Sequence, residues 1–149
     1  FKIPIFGQMN KEVAIALFCR ILGVLIASGV AILDGLKIAG HSLGNNSLKV
    51  EIDYAAKQVE RGLPLSYPLK ASANFPSIVC QMVSVGEETG TVDQSLLRLA
   101  SFFEEAAERK VKGLTTAIEP VMIILMGIAV GGLAVAVLMP MFNLINVIK

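Results

Sequence analysis

Polarity along the chain falls into two regimes. No position from residue 120 to residue 148 is charged, and its densest part, residues 121–139, is built only from Val, Ile, Leu, Met, Ala and Gly. As a helix rising 1.5 Å per residue, that part spans roughly 28 Å, close to the ~30 Å hydrocarbon core of a bilayer. A charge-free run of this length predicts a transmembrane helix rather than a buried core helix. Residues 13–33 form another apolar run, interrupted by one charge, Arg20. An arginine near the middle of a span costs about 2.5–3.5 kcal/mol on insertion scales, and Ser28-Gly29 punctuates the run as a helix stop would. That run therefore predicts two short helices buried inside a bundle.

The intervening pattern is helical. Asn10 is placed to cap a helix over residues 11–28, which Gly29 ends. A second helix covers 31–43, and Gly44-Asn45-Asn46 makes the turn. Ser47 is placed to cap a third over 48–61, in which Leu48, Ile52, Ala55, Ala56 and Val59 line one stripe while Lys49, Asp53, Lys57 and Glu60 face away. Gly62 closes it. A short helix follows over 65–72, and Asn74-Phe75-Pro76 opens another that runs to about Val85. Residues 86–90 read as a loop. Thr91 then caps a long helix through Leu99, Phe102, Phe103 and Ala106 towards Leu114. Pro120, after Glu119, is expected to kink or interrupt the helix at the membrane entrance, since proline lacks an N–H and clashes with the preceding turn. Short loops make neighbouring helices antiparallel. The expected fold is all-α: an antiparallel bundle of about six helices followed by one transmembrane helix. Its expected divisions are a lead-in linker at 1–9, a cytoplasmic bundle at 10–116, and the span with a short far-side end at 117–149.

Composition sharpens this picture. Of 149 residues, 54% are hydrophobic and 17% charged, with a mean hydropathy of +0.69. Soluble domains carry roughly 25% charged residues, and disorder needs low hydrophobicity with high net charge. Thirteen basic against twelve acidic residues leave a net +1, without the surplus that nucleic-acid binding requires. Arg109, Lys110 and Lys112 precede the apolar run and only Lys149 follows it, so the positive-inside rule places the N-terminal side in the cytoplasm. Cys19 and Cys80 sit in apolar stretches without a C-x-x-C partner or a nearby His, and read as reduced, buried hydrophobes. The chain begins with Phe1, and residues 1–7 have no signal-peptide form; the expectation is a piece of a longer protein.

Candidate chemistry is sparse. His41, the one histidine, falls at a helix end, where the dipole favours it. There is no P-loop, H-E-x-x-H, G-x-S-x-G or dinucleotide-binding glycine pattern, and no catalytic residue, cofactor or metal is expected. The most unusual segment is Gly86-Glu87-Glu88-Thr89-Gly90-Thr91. Its carboxylates suit a helix N-terminus, a salt bridge to a partner, or a hard cation together with Asp93; a solvated turn is the plainer alternative. Glu104, Glu105, Glu108, Arg109, Lys110 and Lys112 make a charged face, with favourable i,i+4 pairs at Glu105–Arg109 and Glu108–Lys112. Gly127-x-x-x-Gly131 and Gly132-x-x-x-Ala136 offer small-residue steps at which another helix can approach within a bilayer.

Taken together, Pro4-Ile5-Phe6-Gly7, the helix ending Leu25-Ile26-Ala27-Ser28-Gly29-Val30, Val59-Glu60-Arg61-Gly62 with Leu65-Ser66, Phe75-Pro76, Val85-Gly86-Glu87-Glu88-Thr89-Gly90, Glu119-Pro120 and Met139-Pro140-Met141-Phe142 resemble the C-terminal repeat of the type II secretion F protein and type IV pilus assembly platform family. The resemblance covers nearly the whole chain. It implies a polytopic inner-membrane protein with two cytoplasmic helical repeats and three spans, of which this chain is the second repeat and last span. It implies no catalytic activity, and a platform that a hexameric cytoplasmic ATPase engages so that pilin or pseudopilin subunits are lifted into a filament, alongside other inner-membrane assembly proteins and further copies of the platform. Gly86, Glu87, Glu88 and Gly90 are then expected to shape a partner contact. The rival readings are a generic single-span scaffold, a small transporter component in which the first apolar run also spans, and a membrane-anchored enzyme.

Overall fold

The computed structural model describes residues 4–148. Those residues form six helices and no strand: α1 (Pro4–Ala27), α2 (Ile32–Ser42), α3 (Asn46–Glu60), α4 (Ser66–Ala71), α5 (Ser77–Thr89) and α6 (Val92–Val147). Contacts divide the chain into two compact units after Glu108, eight residues before the end of the expected 10–116 division.

The first unit is built from helices that each give one stripe to a common core. Ile15, Phe18, Cys19 and Leu22 of α1 and Leu96, Leu99, Ala100 and Phe103 of α6 repeat the i, i+3, i+4, i+7 spacing of one helical face, and all are buried. Leu48, Ile52, Ala55 and Ala56 are the buried face of α3, as the stripe predicts, with Val59 packed at its margin. Full burial of a side chain such as Phe18 or Leu22 contributes about 1.5–3 kcal/mol. Phe18 also meets Phe75 edge to face, with ring centroids 5.6 Å apart. The first apolar run is thus core, and α6 alone among the described helices is long and apolar enough to cross a membrane.

Small residues set the helix spacing. A Cβ on Gly35 of α2 would lie 2.9 Å from Leu22 Cδ1 on α1, and one on Gly40 would lie 3.1 Å from Ile52 Cγ2 on α3. Gly23 faces Leu97 in the same way. Arg20 reaches Glu104, so residue numbers fall along α6 as they rise along α1, and the two helices are antiparallel. Three helices end through a glycine at positive φ, Gly29, Gly62 and Gly90. After each, the next N–H returns to a carbonyl five residues back: Val30 to Leu25, Leu63 to Gln58, Thr91 to Gly86.

Three boundaries differ from the pattern-based expectation. Residues 4–9, expected as lead-in linker, are the first turns of α1, so Asn10 is interior; residues 1–3 lie outside the described residues. A proline is tolerated in a first turn because its missing N–H has no intrahelical acceptor. Asn45, not Ser47, caps α3: its Oδ1 accepts from the N–H groups of Ser47 at 3.0 Å and Leu48 at 3.4 Å. Residues 86–89 are the last turn of α5 rather than a loop, because one glycine costs a helix only about 1 kcal/mol and here permits a close approach. At Pro120, expected to kink or interrupt the helix, α6 is not interrupted, and it also continues past Pro140; each proline removes one backbone bond.

Candidate functional site

The singled-out segment joins three helices of the first unit. Gly86 is buried in the last turn of α5, where an added Cβ would lie 2.8 Å from Ser95 Oγ and 2.9 Å from Val92 Cα. Its missing side chain lets α5 seat against the first turn of α6. One residue on, Glu87 turns to α4. Its carboxylate accepts the backbone N–H of Leu65 through Oε1 and that of Ser66 at 3.2 Å through Oε2. Leu65 and Ser66 are both buried, and the first N–H groups of a helix have no intrahelical acceptor. Glu87 therefore supplies, from twenty-one residues downstream of Ser66, the cap that no local side chain provides.

Glu88 and Gly90 are exposed. Thr91 sits immediately before α6, its carbonyl accepting from Ser95 N–H at 3.0 Å and its hydroxyl 2.7 Å from that of Thr89. Of the four residues expected to shape a partner contact, two hold the fold together and two face outward. The other end of α4 is held by α3. Glu51 accepts from Ser72 Oγ and, at 2.6 Å, from Asn74 Nδ2, while Asn74 N–H donates to Ser72 Oγ at 3.1 Å.

Arg20 was visible in the sequence as a reason against membrane insertion, but its partner was not. Nη2 donates to Glu104 Oε2 at 2.7 Å and Nε to Oε1 at 3.1 Å, a two-pronged pair between α1 and α6. That pairing raises the Arg20 pKa and lowers that of Glu104. Beside it, Val13 and Leu17 of α1 form an exposed apolar ridge between two shallow grooves. One, about 440 Å³, is lined by Asn10, Leu43 and Asn45; the other, about 290 Å³, by Ala107, Glu104 and Glu108.

His41 lies exposed on the last turn of α2, where Nδ1–H donates to the Lys37 carbonyl at 2.8 Å. The described residues contain no group of three metal-ligating side chains, and Asp93 does not join Glu87 and Glu88 in one. Cys19 and Cys80 are buried free thiols; burial pushes Cys19 to about 12 and Cys80 upward. In the second unit, Gly127, Gly131 and Gly132 face open space, and Ala136 is exposed with them.

The class this describes is a small helical bundle whose last helix runs on into an apolar stretch long enough to cross a bilayer. The family model for the type II secretion system protein F matches residues 18–140, and the chain belongs to that family. It is 37% identical over 147 residues to a type IV pilus assembly protein PilC of Myxococcus xanthus, covering 99% of this chain and 35% of that protein. It is 36% identical to the PilC of Thermus thermophilus, over 99% of this chain and 37% of that protein. To the type II secretion system protein F of Pseudomonas aeruginosa it is 31% identical, over 96% of this chain and 35% of that protein. The chain therefore spans about a third of the length of these curated relatives.

Proposed function

We propose that the chain is a non-enzymatic part of an inner-membrane platform. In this reading it couples a cytoplasmic hexameric assembly ATPase to the extraction of pilin or pseudopilin subunits from the membrane and their assembly into a filament. Most of the chain then faces the cytoplasm, with the basic residues before the apolar run on that side. One observation carries the proposal: α6 supplies Leu96, Leu99, Ala100 and Phe103 to the bundle core and continues as one helix through the uncharged stretch. In this reading, displacement of the bundle is passed along α6 towards the apolar stretch. Membership of the family supports the same assignment.

The test places four glycines after Gly113 in the full-length protein. Normal membrane levels with filament assembly or secretion abolished is the expected result; wild-type assembly would refute coupling through α6. Partner contact at the end of α5 falls to Glu88, since Glu87 is engaged within the bundle. Glu88→Lys is expected to impair assembly with the protein still folded and present. Unimpaired assembly would remove Glu88 from the contact.

A further inference from the structure

Between the compact bundle and the uncharged stretch lies a segment with its own pattern. Val111, Leu114 and Ile118 are 49%, 42% and 58% exposed, and their i, i+3, i+7 spacing puts them on one side of α6. Arg109, Lys112 and Thr116 lie on the other side, and both cations are exposed without a hydrogen-bond or ion-pair partner among the described residues. Neither expected pair, Glu105–Arg109 or Glu108–Lys112, is formed. The hydroxyls of Thr115 and Thr116 are satisfied inside the helix, donating to the carbonyls of Val111 at 3.1 Å and Lys112 at 2.9 Å. Residues 109–119 thus combine an exposed apolar stripe, hydroxyls that need no water, and uncommitted positive charge.

We infer that Arg109 and Lys112 attract anionic phospholipids to the leaflet where α6 enters the membrane; the inference rests on the membrane placement proposed above. Lys112 precedes Val121, the first residue of the densest apolar part, by about 13 Å of helix rise. With a headgroup layer roughly 5–8 Å deep, the Lys112 backbone lies about 5–8 Å outside it, within a Debye length of the charged surface at physiological salt. Arg109 lies one turn further out, where screening leaves a weaker attraction. Glu119 is the one acidic residue in the segment.

The experiment reconstitutes the protein in phosphatidylcholine bilayers with a trace of spin-labelled phosphatidylglycerol or spin-labelled phosphatidylcholine, and measures the motionally restricted fraction of each. A roughly 2–5-fold preference for the anionic label is expected. It should fall to near unity in the Arg109→Gln, Lys112→Gln double variant and in 1 M salt. Equal restriction of the two labels, or a preference that survives the double variant, would overturn the inference while leaving the membrane placement standing. Restriction of neither label would show that the protein is not in the bilayer and would remove both.

Discussion

Glu87 gives the sharpest test of how this bundle holds together. Its two acceptor oxygens take the N–H groups of Leu65 and Ser66, residues 1% and 6% exposed, so water cannot readily replace it. Hydrogen bonds to a charged group contribute about 1.5–3 kcal/mol, and a buried donor left without a partner costs about 1–3 kcal/mol. The two bonds share one carboxylate and are not independent, so Glu87→Ala is expected to cost about 2–4 kcal/mol. Glu87→Gln keeps one acceptor oxygen but turns an N–H₂ toward a backbone donor, and should cost about 1–2 kcal/mol. Glu88→Ala, at an exposed neighbour, should stay within about 0.5 kcal/mol. Pulse proteolysis of the detergent-solubilised protein across a urea series would rank the three, and faster amide exchange at Leu65 and Ser66 would localise the effect. If Glu87→Ala were as stable as Glu88→Ala, the capping role would be refuted. Charge reversal at Glu87 is for the same reason a poor probe of partner binding, because it sets an ammonium against two N–H groups.

Three further outcomes follow from the same packing. Gly86→Ala sets a Cβ against the Val92 backbone and should destabilise by about 1–3 kcal/mol in the same urea assay. Arg20→Gln and Glu104→Gln should each cost less than about 1 kcal/mol at pH 7, since the pair is solvent-exposed. Glu104 has a lowered folded-state pKa, so its contribution is present above the ordinary glutamate value and lost as pH falls through the folded one. The gap between wild type and Glu104→Gln should therefore close in unfolding curves below about pH 4. Cys19, buried with its thiol near 12, should resist iodoacetamide at pH 8 in the folded protein and react once urea unfolds it.

Local periodicity carried most of the fold. The α3 stripe from Leu48 to Ala56 was readable because every member lies on one helix and one face. Arg20 and the Ser28-Gly29 stop moved the first apolar run from membrane to core, although the partner of Arg20, Glu104, lies eighty-four residues away and was not visible. What escaped the sequence depends on such distant pairings. Gly86 looked like a breaker because its reason for being glycine, the backbone of Val92, belongs to the next helix. Glu87 looked like a surface charge because the α4 N-terminus is remote in sequence. Ser47 was expected to cap α3 and Asn45 to lie in the turn before it; the cap is Asn45, whose oxygen reaches two amides. The outward pair, Glu88 and Gly90, was legible as unusual, while its role stays with the proposed partner contact.

The uncharged stretch from residue 120 to residue 148 has a further mechanical consequence. Residues 120–147 of that stretch are helical and make about 42 Å of helix, some 12 Å more than the oily interior of a bilayer is thick. Such a helix has slack: it can lean, or slide along its own axis by up to two turns, before Glu119 on one side or Lys149 on the other is dragged into hydrocarbon. On the proposed placement, travel of that helix along its axis costs little solvation.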